Sequence, residues 1–208
     1  MKCLKLFLIC SISIFQAQTY QFDKMFFYSG DFNNVIYKPN ASENYYLFLN
    51  FYKDFSKIID LKSTKLHLLK TTTSIDSLNN QYHYDFSFIE SKSFNKSKGS
   101  IWYPKMVTKL VFIEKIDERL DKYLVELYKN SNKKKAFLKI EIIASHSPIN
   151  FFDIFSASHV HPFELHPNFM TEKPLIVHQA NWESLNGRKS EIVLKEKTDV
   201  DFKIIIPN

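Results

Sequence analysis

The stretch Tyr82-His83-Tyr84-Asp85-Phe86-Ser87-Phe88-Ile89 decides the fold class. Tyr82, Tyr84, Phe86 and Phe88 recur at every second position, with His83, Asp85 and Ser87 between them. Successive side chains of a strand point to opposite faces, so this pattern predicts a strand with one aromatic face and one polar face. The same period extends upstream. Tyr20-Gln21-Phe22-Asp23 alternates, and Phe26 and Tyr28 are expected to continue its aromatic face. Asn44–Tyr52 (NYYLFLNFY) and Leu61–Leu69 read as further strands. Downstream, Val107–Ile116 places Val107, Lys109, Val111 and Ile113 on one face and Leu110 and Phe112 on the other.

Beyond Ile116 two periods compete. Leu120, Tyr123, Leu124 and Leu127 fit a helical stripe, whereas Tyr123, Val125 and Leu127 fit a strand face. The strand reading of Leu120–Tyr128 is preferred. Asn130-Ser131-Asn132 is a turn signal, and Phe137–Ala144 (FLKIEIIA) supplies an antiparallel partner. Asn186-Gly187 is a preferred two-residue hairpin turn. It predicts that Leu175–Leu185 pairs with Arg188–Lys195, with a last strand Asp201–Ile206 beside them. Ser147–Pro174 contains four prolines and breaks the period; Asn150–Ser156 within it reads as one short helix. The fold class is therefore mainly β: a curved antiparallel sheet, half-barrel or sandwich, with at most one or two short helices.

The N-terminus has a different character. Met1-Lys2-Cys3-Leu4-Lys5 is positively charged, Leu6–Phe15 is apolar, and Gln16-Ala17-Gln18 offers a small residue for cleavage. This is the three-part form of a secretory signal peptide, and the apolar run is too short to span a bilayer as a helix. The reading assigns 1–17 to a signal peptide and 18–208 to a single antiparallel β domain, periplasmic or secreted. Cys10 could alternatively carry a lipid anchor, but Ile9 stands where a small residue is needed. Both cysteines, Cys3 and Cys10, lie in the segment expected to be removed. Disulfides, thiolate catalysis and Cys-ligated zinc are then excluded for the mature chain. With 20 Phe and 11 Tyr, the chain can bury a core without them. No later stretch is long and apolar enough for a membrane helix.

The formal charge of +6 comes almost entirely from lysine, since Arg119 and Arg188 are the only arginines. The abundance of Asn, Ile, Phe and Tyr beside three glycines matches an AT-rich coding bias, and no nucleic-acid partner is expected. Lys133-Lys134-Lys135 is read as a solvated hairpin tip, and Glu114, Asp117, Glu118 and Asp121 as a solvated turn. With glycine only at Gly30, Gly99 and Gly187, there is no phosphate-cradling loop and no dinucleotide fingerprint. A serine nucleophile elbow and an HExxH helix are absent as well.

Five of the 7 histidines, His146, His159, His161, His166 and His178, fall in or beside the irregular region. In a strand, His159 and His161 would share a face and could chelate one divalent metal, with Glu164 and His166 completing an N/O set. The string His159-Val160-His161-Pro162-Phe163-Glu164 resembles the start of a cupin metal motif. It departs from that motif in placing Glu164 one residue early and in lacking its glycines. Hydrogen-bonded loop histidines are the competing reading, and no cofactor is otherwise expected.

A signal ending in Ala-Gln, the aromatic strand TYQFDKMFFY and the ending WESLNGRKSEIVLKE…VDFKIIIP are similar in style to small exported proteins of the Bacteroidetes. The architecture resembles the curved half-barrel of periplasmic lipoprotein carriers. That resemblance is one of architecture alone; the functional expectation is a non-catalytic envelope protein that binds an apolar ligand or lipid, or packs on an envelope protein partner. Its motivation is that Asn44–Tyr52 and Tyr82–Ile89 carry more aromatic surface than a one-sided sheet requires. Two alternatives stand beside it. One is the metal-dependent site on His159 and His161. The other is an outer-membrane barrel, disfavoured by the ending Pro207-Asn208 and by the lack of a consistent lipid-compatible face.

Overall fold

The computed structural model describes residues 17–30, 33–39, 43–49, 54–76, 81–94, 105–159, 169–183, 187 and 189–207. Among the described residues, eleven strands form one sheet whose ladders are all antiparallel. They are β1 (Gln18–Gly30), β2 (Asn34–Lys38), β3 (Tyr45–Leu49), β4 (Phe55–Asp60), β5 (Lys65–Asp76) and β6 (Gln81–Ser93). Then follow β7 (Val107–Lys115), β8 (Leu120–Tyr128), β9 (Leu138–His146), β10 (Leu175–Glu183) and β11 (Lys189–Ile206). Among the described residues one helix, α1 (Phe152–His159), lies between β9 and β10. The segment 1–16 lies outside the described residues, and β1 begins at Gln18.

The strand order is β6-β5-β4-β3-β2-β1-β11-β10-β9-β8-β7. Each strand lies beside its sequence neighbour, and the first and last strands pair in the middle. Only β6 and β7 are separated, at the two edges. Counting antiparallel steps explains why the ring stays open. β6 and β7 are an even number of reversals apart, so they run in the same direction. Closing this eleven-stranded order would need a parallel pair, which a hairpin cannot supply.

The sheet is strongly curled. Phe86 of β6 stacks on Phe202 of β11 with ring centroids 6.1 Å apart, although six strand spacings separate those strands. In a flat sheet that separation would be about 29 Å. Likewise the Tyr20 hydroxyl of β1 lies 2.8 Å from His67 Nε2 of β5, where a flat sheet would put about 19 Å. The curl encloses a cluster of Tyr20, Phe22, Val35, Tyr37, Leu47, Leu49, Ile58, Leu69, Ile204 and Ile206.

The opposite face of β1–β3 carries the larger core. Phe26, Tyr28, Ile36 and Tyr46 join Tyr123, Val125 and Leu127 of β8, Ile140, Ile142 and Ala144 of β9, and Phe152, Ile154, Phe155 and Ala157 of α1. Thus β1 to β3 bury both faces. This overturns one expectation, because Phe26 and Tyr28 do not continue the face of Tyr20 and Phe22. A register shift between Phe22 and Lys24 marks the change of phase. Beyond it, Met25 and Phe27 pack on the Tyr20 cluster, while Phe26 and Tyr28 face α1. Register shifts of this kind change which residues point inward.

Leu120–Tyr128 is a strand, and its partner starts at Leu138. Between them the Asn130 side chain accepts the Asn132 amide at 3.1 Å, and its carbonyl accepts the Lys133 amide at 3.2 Å, so asparagine makes the turn. Strands β10 and β11 pair antiparallel, and Gly187 has φ +79°. Two corrections apply here and upstream. Asp201–Ile206 is the continuation of β11 and lies beside β1, so it is no separate strand next to the hairpin. Leu61–Thr64 is a turn, capped by the Asp60 carboxylate accepting the Lys62 and Ser63 amides at 2.8 and 3.0 Å; the strand starts at Lys65.

Candidate functional site

The concave side of the curl is open along one line. Strand β11 pairs with β10 only through Val193, while its pairing with β1 continues to Ile206. From Leu194 onward, β11 therefore has one side free of any ladder among the described residues. Strand β6 ends the sheet and is likewise free on its outer side. These two edges face each other across a groove of about 1650 Å³.

The lining of the groove follows from that geometry. Tyr84, Phe86 and Phe88 from β6 and Val200, Phe202 and Ile204 from β11 form the aromatic and aliphatic walls. The floor comes from Met25, Phe27, Val35, Tyr37 and Leu49 of β1 to β3. His83, Asp85, Lys203 and Ile205, the alternate neighbours of the wall residues, line it too. Consecutive residues can reach one groove when it is walled by strand edges, because a strand turns only alternate side chains to either face. Phe202 sits at the centre. It stacks on Phe22 at 5.2 Å and meets Tyr37 edge-on at 5.2 Å, as well as touching Phe86. Burial raises the Tyr37 hydroxyl far above its ordinary pKa, reinforced by Tyr84 and Glu196, so it stays a neutral polar group within an apolar wall.

The polar part of the lining is acidic. Asp54, Asp85, Glu196 and Asp199 belong to it, against Lys203 alone among lysines. Asp199 is held by Lys24. The ion pairs formed among the described residues leave Asp54, Asp85 and Glu196 without a cationic partner.

A polar network closes the curl at one end. The Tyr20 hydroxyl donates to Asp60 Oδ2 at 3.3 Å and lies 2.8 Å from His67 Nε2, while His67 Nδ1 is 2.7 Å from Ser91 Oγ. One proton arrangement satisfies every group: Ser91 donates to Nδ1, Nε2–H donates to the Tyr20 oxygen, and Tyr20 donates to Asp60. Burial, with Lys65 nearby, lowers the His67 pKa against the opposing pull of Asp60 and favours this neutral imidazole. Burial also works to raise the Asp60 carboxyl, but hydrogen bonds from Ser63, Lys62 and Tyr20 outweigh it and hold it below its ordinary value. The network ties β1 to β4, β5 and β6. Its chemical capacity is to hold the curl shut while keeping buried polar groups paired. No motif in the sequence announces it, since its bonded partners lie up to 47 positions apart.

Of the histidines singled out from the sequence, His146, His159 and His178 are among the described residues. His159 closes α1, so the strand spacing that would set it beside His161 is not what the backbone has there. His161, Glu164 and His166 lie outside the described residues. Among the described residues no group of three or more His, Cys, Asp or Glu side chains could hold a metal. His178 pairs with Ser145 at 2.8 Å, and His146 lies 3.4 Å from Asp121. Among the described residues no helix is long and apolar enough to cross a membrane.

No protein-family model, curated protein or solved structure matches this chain.

Proposed function

We propose that this chain is an exported, non-catalytic envelope protein whose curled sheet takes an apolar guest into the groove between β6 and β11. One observation carries the reading: a groove walled by Phe86, Phe88, Val200 and Phe202 lies between two strand edges that have no ladder partner among the described residues. Apolar walls with a few convergent polar groups are the usual composition of a binding site. The export reading is supported by the basic, apolar and small-residue zones of 1–17.

The test is a titration with N-phenyl-1-naphthylamine, whose fluorescence rises in apolar surroundings. Saturable binding to one site, lost in Phe202→Asp and kept in Phe112→Ser, is the expected result. Phe112 is exposed on the far edge strand and serves as the control. Absence of saturable binding, or equal loss in both variants, would remove the groove from consideration.

A further inference from the structure

The groove lies between two strands whose directions are fixed by the ladders around them. From β6 through β5, β4, β3, β2 and β1 to β11 there are six antiparallel steps. An even number of reversals means that β6 and β11 run the same way. They could not pair with each other in the antiparallel manner of the rest of the sheet. A single strand inserted between them, running the other way, would be antiparallel to both. It would turn seven curled strands into a continuous eight-stranded antiparallel ring. Both edges present backbone N–H and C=O groups with no ladder partner among the described residues.

The groove also dictates the side chains of such a strand. Its inward face would meet Phe86, Phe88, Val200 and Phe202, so alternate residues must be apolar. The groove supplies charge complementarity as well. Asp54, Asp85 and Glu196 line it without cationic partners among the described residues, on a chain whose formal charge is +6. A strand with basic residues flanking its apolar core would place charge opposite them. Resting on the reading of the groove as a binding site, we propose that the guest is an extended segment of another polypeptide, apolar at alternate positions and basic at its ends. It adds to β6 and β11 at once. Strand addition of this kind draws affinity from the backbone and selectivity from the alternate side-chain pockets.

The test uses the purified full chain and synthetic peptides about nine residues long, the span of an ordinary strand. The first alternates Val and Thr between terminal lysines. The second has the same core between terminal glutamates. The third carries proline at its centre, which removes a ladder donor. Anisotropy should show the lysine-ended peptide binding about tenfold more tightly than the glutamate-ended one, and the proline peptide not binding. Hydrogen exchange should show new protection in both β6 and the 196–206 part of β11. Asp85→Lys with Glu196→Lys, both on exposed side chains, should invert the preference for end charge. Protection on one edge only, equal binding of the proline peptide, or no inversion would overturn the proposal. If no peptide binds while the naphthylamine probe does, the groove is a binding site and the strand proposal fails. If neither binds, the reading of the groove fails with it.

Discussion

Replacing Asp153 with alanine tests what joins α1 to the N-terminal strands. Asp153 sits in the first turn of α1 and forms an ion pair with Lys38 of β2, with only 13% and 7% of the two side chains exposed. The Tyr46 hydroxyl of β3 donates to the same carboxylate at 2.7 Å. The Lys38 ammonium also lies 5.5 Å and 6.0 Å from the ring centroids of Tyr46 and Phe151. Asp153→Ala leaves a buried ammonium with aromatic faces alone, which costs about 3–5 kcal/mol. It also strips the Tyr46 hydroxyl of its acceptor, about 1–3 kcal/mol by itself. The two losses share one site and do not add, so about 4 kcal/mol is expected. Lys38→Met should cost less, about 2 kcal/mol, because Asp153 keeps Tyr46 and the favourable end of the helix dipole. The double change Lys38→Met with Asp153→Leu removes both charges and should fall well short of the sum of the singles. Urea unfolding followed by circular dichroism, with the slope checked for two-state behaviour, reads all three. A cost below about 1 kcal/mol for Asp153→Ala would refute the reasoning, as would singles that simply add in the double.

Three further outcomes follow from particular positions. A methyl at Gly30 would sit 2.2 Å from the Glu191 carbonyl oxygen of β11. Gly30→Ala should therefore lower the thermal midpoint by displacing the β1–β11 ladder, at a cost of about 1–3 kcal/mol. At Gly187 the nearest atom to an added methyl is 3.9 Å away but φ is +79°, so Gly187→Val should cost about 1–3 kcal/mol through backbone strain alone. Calorimetry showing either variant as stable as the parent would contradict that assignment. Burial holds His67 and His178 below their ordinary pKa, with Lys65 and Lys197 respectively adding to it. The unfolded chain then binds protons at these sites where the folded chain does not. Stability should be full above about pH 6.5 and decline as pH falls through that value toward the lowered folded ones. His178→Gln should flatten part of that decline in urea midpoints; an unchanged pH profile would show that His178 does not contribute.

Much of the sheet was legible because long strands with one polar face carry a two-residue period. Tyr84, Phe86 and Phe88 on β6 and Tyr123, Val125 and Leu127 on β8 follow it. The short strands β2 (NVIYK) and β4 (FSKIID) escaped notice because they bury residues on both faces and show no alternation. The phase change in β1 escaped for a related reason: both of its faces are aromatic, so a register shift leaves the pattern looking continuous. The walls of the groove were visible as excess aromatic residues. The groove itself depends on β11 outrunning β10 and on the curl that brings Phe202 to Phe86, and both are long-range consequences of pairing. The Lys38–Asp153 pair joins residues 115 positions apart, with no local spacing to reveal it.

The most direct measurement is native mass spectrometry of the protein recovered from the cells that make it, beside the Phe202→Asp variant prepared the same way. The account predicts an added mass on the parent chain that is absent from the variant and is released when the parent is unfolded in organic solvent. A parent chain that leaves those cells bare, or an added mass equally present on the variant, would contradict a guest held between β6 and β11.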